Sequence, residues 1–313
     1  MNKIFYFLIV LLIIIPFEQF NIGFAITPAI SLFIGLIYAL IFPIPYPKFN
    51  KKASKYLLQI SVVGLGFGMN IVDSLKSGSS GMLFTIASVM GVMVLGVLLG
   101  RWLHLNKKTS YLISSGTAIC GGSAIAAVGP IIKASEDEMA VSLGVIFILN
   151  AIALFISPPI GNFFEMSETQ FGTWAAIAIH DTSSVVGAGE AYGSIALQSA
   201  TLIKLTRALW IIPLALVTML FFHDKGNKIS IPWFIFLFII AMAINTYCNI
   251  PKELSSILVL IAKKGLIVTL FLIGTSLSIK SIKKVGIKPL MLAVALWIVI
   301  GVTSFFVVKH TIN

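Results

Sequence analysis

Long apolar runs, many close to the length of a membrane-crossing helix, follow one another along this chain with only short polar loops between them. Their approximate limits are 4–17, 23–43, 54–72, 82–102, 110–131, 139–160, 172–192, 196–222, 231–248, 262–279 and 288–308, about eleven in all. A helix needs about 20 apolar residues to cross the hydrocarbon, and lipid offers no water to an unpaired backbone group. The chain therefore reads as an all-α polytopic membrane protein. Composition agrees: 58% of residues are hydrophobic and 11% charged, where soluble domains carry about 25% charged residues. One integral membrane unit is expected over residues 1–313, with no soluble domain, low-complexity tail or long linker.

The net charge of +11 does not point to nucleic acid, because the basic residues fall in short loops between apolar runs. That pattern sets topology. One set of loops holds Lys3, Lys48 to Lys55, Arg101 to Lys108, His223 to Lys228 and Lys280 to Lys288. The other holds Glu18, Asp73 with Lys76, Lys133 to Glu138, Glu190 and Lys252-Glu253. The first set is strongly basic and the second mixed or acidic. The positive-inside rule then puts the N-terminus in the cytoplasm and the C-terminus outside. The acidic loop at Glu165 and Glu168 is an exception of little weight, since acids count little in this rule. The first run, Ile4 to Phe17, follows a lysine and is short, as a signal peptide would be. No small-x-small cleavage site follows it, so it is expected to stay as a first helix. Cys120 and Cys248 lie within or at the end of apolar runs and read as small membrane residues.

Two internal resemblances suggest duplication. Gly66-Phe-Gly68-Met-Asn70-Ile71 with Lys76-Ser-Gly78 recurs as Gly274-Thr-Ser276-Leu-Ser278-Ile279 with Lys284-Val-Gly286. In the topology above the two copies face opposite sides, as an inverted repeat requires. Ala118-Ile-Cys120-Gly121-Gly122-Ser123 likewise aligns with Ala178-Ile-His180-Asp181-Thr182-Ser183.

The polar residues inside the apolar runs are the candidates for function. In Ser114 to Ser123, seven of ten residues are Gly, Ser or Thr. Each glycine costs a helix about 1 kcal/mol, so the stretch reads as a broken helix whose second half offers backbone amides to an anion. A close helix–helix contact is the plainer alternative. His180 and Asp181 sit in the second copy. Asp181 can cap a half-helix while His180 donates to a carbonyl, or the pair can form a proton or cation site beside the substrate. Charge in lipid costs about 2.5–3.5 kcal/mol on insertion scales, which favours a role. Lys204 and Arg207 share a helix face three residues apart. They snorkel to an interface, pair with Asp181, or attract an anion. Asn70, Asn150 and Asn245 read as interhelical hydrogen bonds, and Pro158-Pro159 as a helix end. No metal-ligand cluster, P-loop or nucleophile elbow occurs, so no metal or cofactor is expected, and uphill transport would need an ion gradient.

Four stretches carry a family resemblance. They are Gly116-Thr-Ala-Ile-Cys-Gly-Gly-Ser-Ala-Ile-Ala-Ala, Ile179-His-Asp-Thr-Ser-Ser-Val-Val-Gly-Ala, Leu149-Asn-Ala-Ile-Ala-Leu with Pro158-Pro-Ile-Gly161, and Lys204-Leu-Thr-Arg-Ala-Leu-Trp-Ile-Ile-Pro213. In these the chain resembles the YeiH-type (UPF0324) family of sulfate exporters over essentially its whole length. The resemblance implies a bacterial inner-membrane protein near the cation/proton antiporter and bile-acid transporter superfamily. It further implies inverted repeats, two discontinuous crossing helices and elevator-like motion of a core, near 110–131 and 172–192, against a scaffold of the other helices. Carried over by position, the site falls at Thr117 to Ser123 and His180 to Ser184.

The first reading is thus a secondary transporter, an exporter, of a small inorganic or sulfur-containing anion such as sulfate or sulfite. Thr117, Cys120, Gly121, Gly122, Ser123, Thr182, Ser183 and Ser184 would hold the anion, with Lys204 or Arg207 supplying positive potential. Asp181, with His180, would carry the coupling proton or sodium ion. The partners are then the anion, the coupling ion and the lipid bilayer, and a homodimer is compatible with this reading. The second reading is a cation/proton antiporter with Asp181 as the ion-binding carboxylate. An intramembrane hydrolase is rejected: adjacent His and Asp side chains diverge on a helix, and no nucleophile is identifiable.

Overall fold

The computed structural model describes residues 2–15, 26–72, 82–222, 233–248, 250–276 and 286–312, and every regular element among them is an α-helix. In chain order these are α1 (Asn2–Ile14), α2 (Pro28–Ile41), α3 (Pro47–Gly66), α4 (Met82–Trp102), α5 (Lys107–Ala118), α6 (Gly122–Ile131), α7 (Glu136–Phe163), α8 (Glu168–Ala178), α9 (Thr182–Tyr192), α10 (Ser194–Ala208), α11 (Ile211–Phe222), α12 (Trp233–Tyr247), α13 (Lys252–Ser276) and α14 (Ile287–Thr311). Each apolar run carries helix. Among the described residues, five stretches are long and apolar enough to cross a membrane: Thr85–Trp102, Asp137–Phe163, Ser194–Phe222, Lys252–Thr275 and Ile287–Thr311. Glu18, Asp73, Lys76 to Gly78, His223 to Lys228, Leu277 to Ile279 and Lys280 to Lys284 lie outside the described residues, and with them half of the first internal resemblance.

Capping residues set several boundaries. Ser135 and Ser167 each accept from the N3 amide of α7 and α8, while Glu138 and Gln170 reach back to the cap amide. Both are capping boxes. The expected stop at Pro158-Pro159 does not occur: α7 runs through both to Phe163. Helices in apolar surroundings tolerate proline where neighbours re-satisfy the freed carbonyls, so local propensity loses to packing. The run 196–222 is interrupted at Leu209-Trp210, where Leu209, Trp210 and Ile212 all bond three residues back. Pro213 explains this turn, since its ring denies the Leu209 carbonyl a bond from four residues on. Helix α13 begins at Lys252 and so encloses Lys263 and Lys264.

The helices pack in two groups. In one, α13 lies against α1, α2 and α3, and α12 against α3. Tyr6, Tyr38 and Phe271 cluster at its centre. Gly35 meets the Phe271 carbonyl and Gly274 the Leu32 carbonyl so closely that neither site has room for a Cβ. Small residues let apolar helices approach in this way. The other group holds α4 to α11 with α14. The groups meet where α9 lies against α2 and α13, and α7 against α2. There Glu190 of α9 pairs with Lys263 of α13 at 3.0 Å.

Candidate functional site

Both central motifs break their helices, in matching register. Helix α5 ends at Ala118 and α6 starts at Gly122; α8 ends at Ala178 and α9 starts at Thr182. The second internal resemblance is therefore also a structural one. The two breaks differ in how the chain turns. At the first, Gly121 adopts φ 61°, ψ −120°, a region closed to residues with a Cβ. At the second, Asp181 is extended (φ −98°, ψ 145°), and its carboxylate accepts from the Ser183 amide at 3.2 Å and from the Ser183 hydroxyl. The capping role read for Asp181 is thus present.

The two breaks touch. A Cβ added at Gly121 would lie 3.1 Å from Ile146 Cγ2 and 3.4 Å from the His180 carbonyl oxygen. Gly121→Ala should therefore cost about 1–3 kcal/mol in backbone strain and crowd the Ile146 side chain. A melt of the purified variant in detergent checks this; an unchanged melting temperature would mean that the turn tolerates a side chain.

Three side chains hold the crossing. Asn150, on α7, accepts through Oδ1 from both the His180 and the Asp181 amides, each at 3.1 Å. Lys204 Nζ donates to the carbonyls of Ile179 (2.6 Å) and Ala176 (3.2 Å), at the end of α8. Arg207 donates through Nη2 to the Ala118 carbonyl (2.6 Å), at the end of α5, and through Nη1 to Ser88 Oγ (3.1 Å). Each half-helix C-terminus carries partial negative charge and unpaired carbonyls, and each receives one cation from the same turn of α10. Both cations are fully buried, so neither snorkels.

The remaining candidates fall around this frame. Thr117, Cys120, His180, Thr182, Ser183 and Ser184 are buried, Asp181 and Gly122 are half-buried, and Ser123 is exposed. His180 makes no ring hydrogen bond to a carbonyl, against the expectation above. Among the described residues, neither of its ring nitrogens has a partner, nor do Thr117 Oγ1, Asn150 Nδ2 or Arg207 Nε. The first-turn amides of α6 have no intrahelical acceptor, and Gly121 brings no capping side chain. The arrangement can bind charge: two buried cations, one carboxylate and a helix N-terminus without a capping side chain gather around the two breaks. Sequence reasoning misses the support shell. Asn150 reads only as an interhelical contact, and Ser88 carries no signal. Lys263 with Glu190 is hidden when Glu190 is placed in a loop. Among the described residues no group of His, Cys, Asp and Glu could hold a metal ion.

A family model described as Conserved hypothetical protein 698 matches residues 5–293. A UPF0324 membrane protein of Bacteroides thetaiotaomicron is 60% identical over 281 residues, covering 89% of this chain and 85% of the relative. One from Porphyromonas gingivalis is 56% identical over 284 residues, covering 89% and 86%. One from Photobacterium profundum is 43% identical over 299 residues, covering 96% and 89%. No solved structure matches the chain. Matched from residue 5 to residue 293 by one family model, and along most of its length by these relatives, the chain belongs to the UPF0324 family of membrane proteins.

Proposed function

We propose that this membrane protein is a secondary transporter, an exporter, of a small inorganic or sulfur-containing anion such as sulfate or sulfite. The observation that carries the reading is the charge balance where the helices break. Buried Lys204 and Arg207 stand against the single carboxylate of Asp181, beside the uncapped N-terminus of α6. Buried charge wants compensation, and here the excess is positive. Anions are drawn to helix N-termini for the same reason.

In this reading the amides of Gly122 and Ser123 and the hydroxyls of Thr117, Thr182, Ser183 and Ser184 surround the anion, with Cys120 and Gly121 in the turn. Lys204 and Arg207 supply potential while tied to carbonyls. Asp181 carries the coupling proton or sodium ion when its cap loosens. The eleven helical runs cross a bacterial inner membrane with the N-terminus in the cytoplasm. The group holding the breaks slides in elevator fashion against the group built on α13. The protein performs no covalent chemistry and needs no cofactor.

Purified protein in liposomes should move labelled sulfate or sulfite well above the rate of empty liposomes. Flux indistinguishable from empty liposomes for every such anion would sink the reading. If pH- and sodium-dependent dye quenching appeared without any anion and vanished in Asp181→Asn, a cation/proton antiporter would take its place.

A further inference from the structure

The groups left without partners at the crossing say what form of anion fits, given the anion-transport reading above. Thr117 Oγ1, Asn150 Nδ2 and Arg207 Nε all border the breaks and all can donate. The Gly122 and Ser123 amides that open α6 can donate as well. Such a set suits the oxygens of any oxyanion. His180 is the exception. It sits at the second break, 1% exposed, with both ring nitrogens unpartnered. A further positive charge beside Lys204 and Arg207 would be costly in so closed an interior. A neutral imidazole carries one N–H and one bare acceptor nitrogen.

That acceptor has nothing to accept from within the described residues. A fully ionised oxyanion cannot help, because it offers only lone pairs. It would leave the imidazole nitrogen unsatisfied, or set lone pair against lone pair, and an unsatisfied buried acceptor is penalised. A ligand that brings its own O–H satisfies it. A monoanion also asks less compensation than a dianion of two buried basic groups that are already tied to helix-end carbonyls.

We propose that the crossing selects a singly charged oxyanion that carries its own proton, an XO2(OH)− group such as hydrogen sulfite, and that His180 recognises it by accepting the hydrogen bond from that O–H. Fully ionised sulfate then lacks the one feature that His180 reads. Sites built to bond a hydroxyl reject the analogue without it far more strongly than apolar pockets reject a missing methylene.

The test uses the full-length protein in liposomes, with equal pH on both faces. Labelled sulfite is supplied at constant total concentration on the acid and the alkaline side of neutrality, and labelled sulfate is run in parallel. Sulfite flux should follow the hydrogen sulfite present, and sulfate should neither move nor compete. His180→Leu should lower sulfite flux by about tenfold or more, whereas His180→Gln, whose amide keeps a donor and an acceptor, should retain the preference at a lower rate. Melts of both variants identify any that fail to fold.

If sulfate moves or competes as well as sulfite at either pH, the inference is overturned and the anion-transport reading stands. It is overturned equally if sulfite flux ignores pH, or if a folded His180→Leu discriminates as the wild type does. If neither anion moves above empty liposomes, both fall.

Discussion

Arg207→Ala is expected to abolish anion flux and to destabilise the protein by about 3 kcal/mol or more. The guanidinium is fully buried, and it closes the C-terminal end of α5 at Ala118 while reaching Ser88 of α4. Alanine removes charge-assisted hydrogen bonds to the Ala118 carbonyl and to the Ser88 hydroxyl, which keeps only its own bond to the Thr85 carbonyl, and opens a void the size of the lost side chain. Large-to-small changes in packed interiors add a cavity cost to the lost contact. Arg207→Lys keeps the charge but not the planar fork that spans Ala118 and Ser88, so it should recover part of the stability and little of the flux. The readouts are a detergent melt and the liposome assay. A variant Arg207→Ala that melts with the wild type would show that α5 does not depend on this side chain for its end.

Asn150→Leu should be nearly as severe, for a different reason. One side-chain oxygen satisfies two consecutive amides, those of His180 and Asp181. Leucine has the same branching, so packing changes little while the buried His180 amide and the half-buried Asp181 amide lose their acceptor. At about 1–3 kcal/mol for each unsatisfied group, the cost is about 2–6 kcal/mol. The second break should then lose its fixed geometry, and with it the position of Asp181 at the start of α9. Asn150→Asp retains an oxygen in the same place and should melt much closer to the wild type. Equal losses in the two variants would mean that Asn150 matters for its amide nitrogen or its volume rather than for the shared acceptor.

The breaks are the most legible part of the site. Gly121-Gly122 among hydroxyls opposes helix formation in the middle of an apolar run, and Asp181-Thr-Ser-Ser is a cap followed by small polar residues. Composition alone signals both, and the resemblance between the copies is visible in the sequence. What fastens them is not legible. A lone asparagine reads the same whether it bonds a side chain on a neighbouring helix or two amides of an interrupted backbone. Lys204 and Arg207 are visible as costly charges. Their partners, however, are carbonyls freed by breaks elsewhere in the chain, and no spacing rule reports a tertiary capping contact. Lys263 and Lys264 mislead in the opposite sense. Charge in an apolar run looks like its boundary, so the pattern starts this run at residue 262, whereas Glu190 lets α13 carry Lys263 in its interior. At Pro158-Pro159 packing overrides a local stop signal, and at Leu209-Trp210 a proline four residues downstream produces a turn that average hydropathy cannot register.

The two cations stand three residues apart on α10, so their backbone positions differ by about 4.5 Å along one helix axis. One rigid turn thus fastens the ends of α5 and α8. Shearing either end away from the other would strip a buried ammonium or guanidinium of its carbonyls, a penalty far above thermal energy. The crossing is in that sense riveted: whatever it holds travels with α5, α8 and α10 together. In the proposed elevator motion the seam would run along α9 where it faces α2 and α13 and along α7 where it faces α2, and the Glu190–Lys263 pair that spans it would have to open.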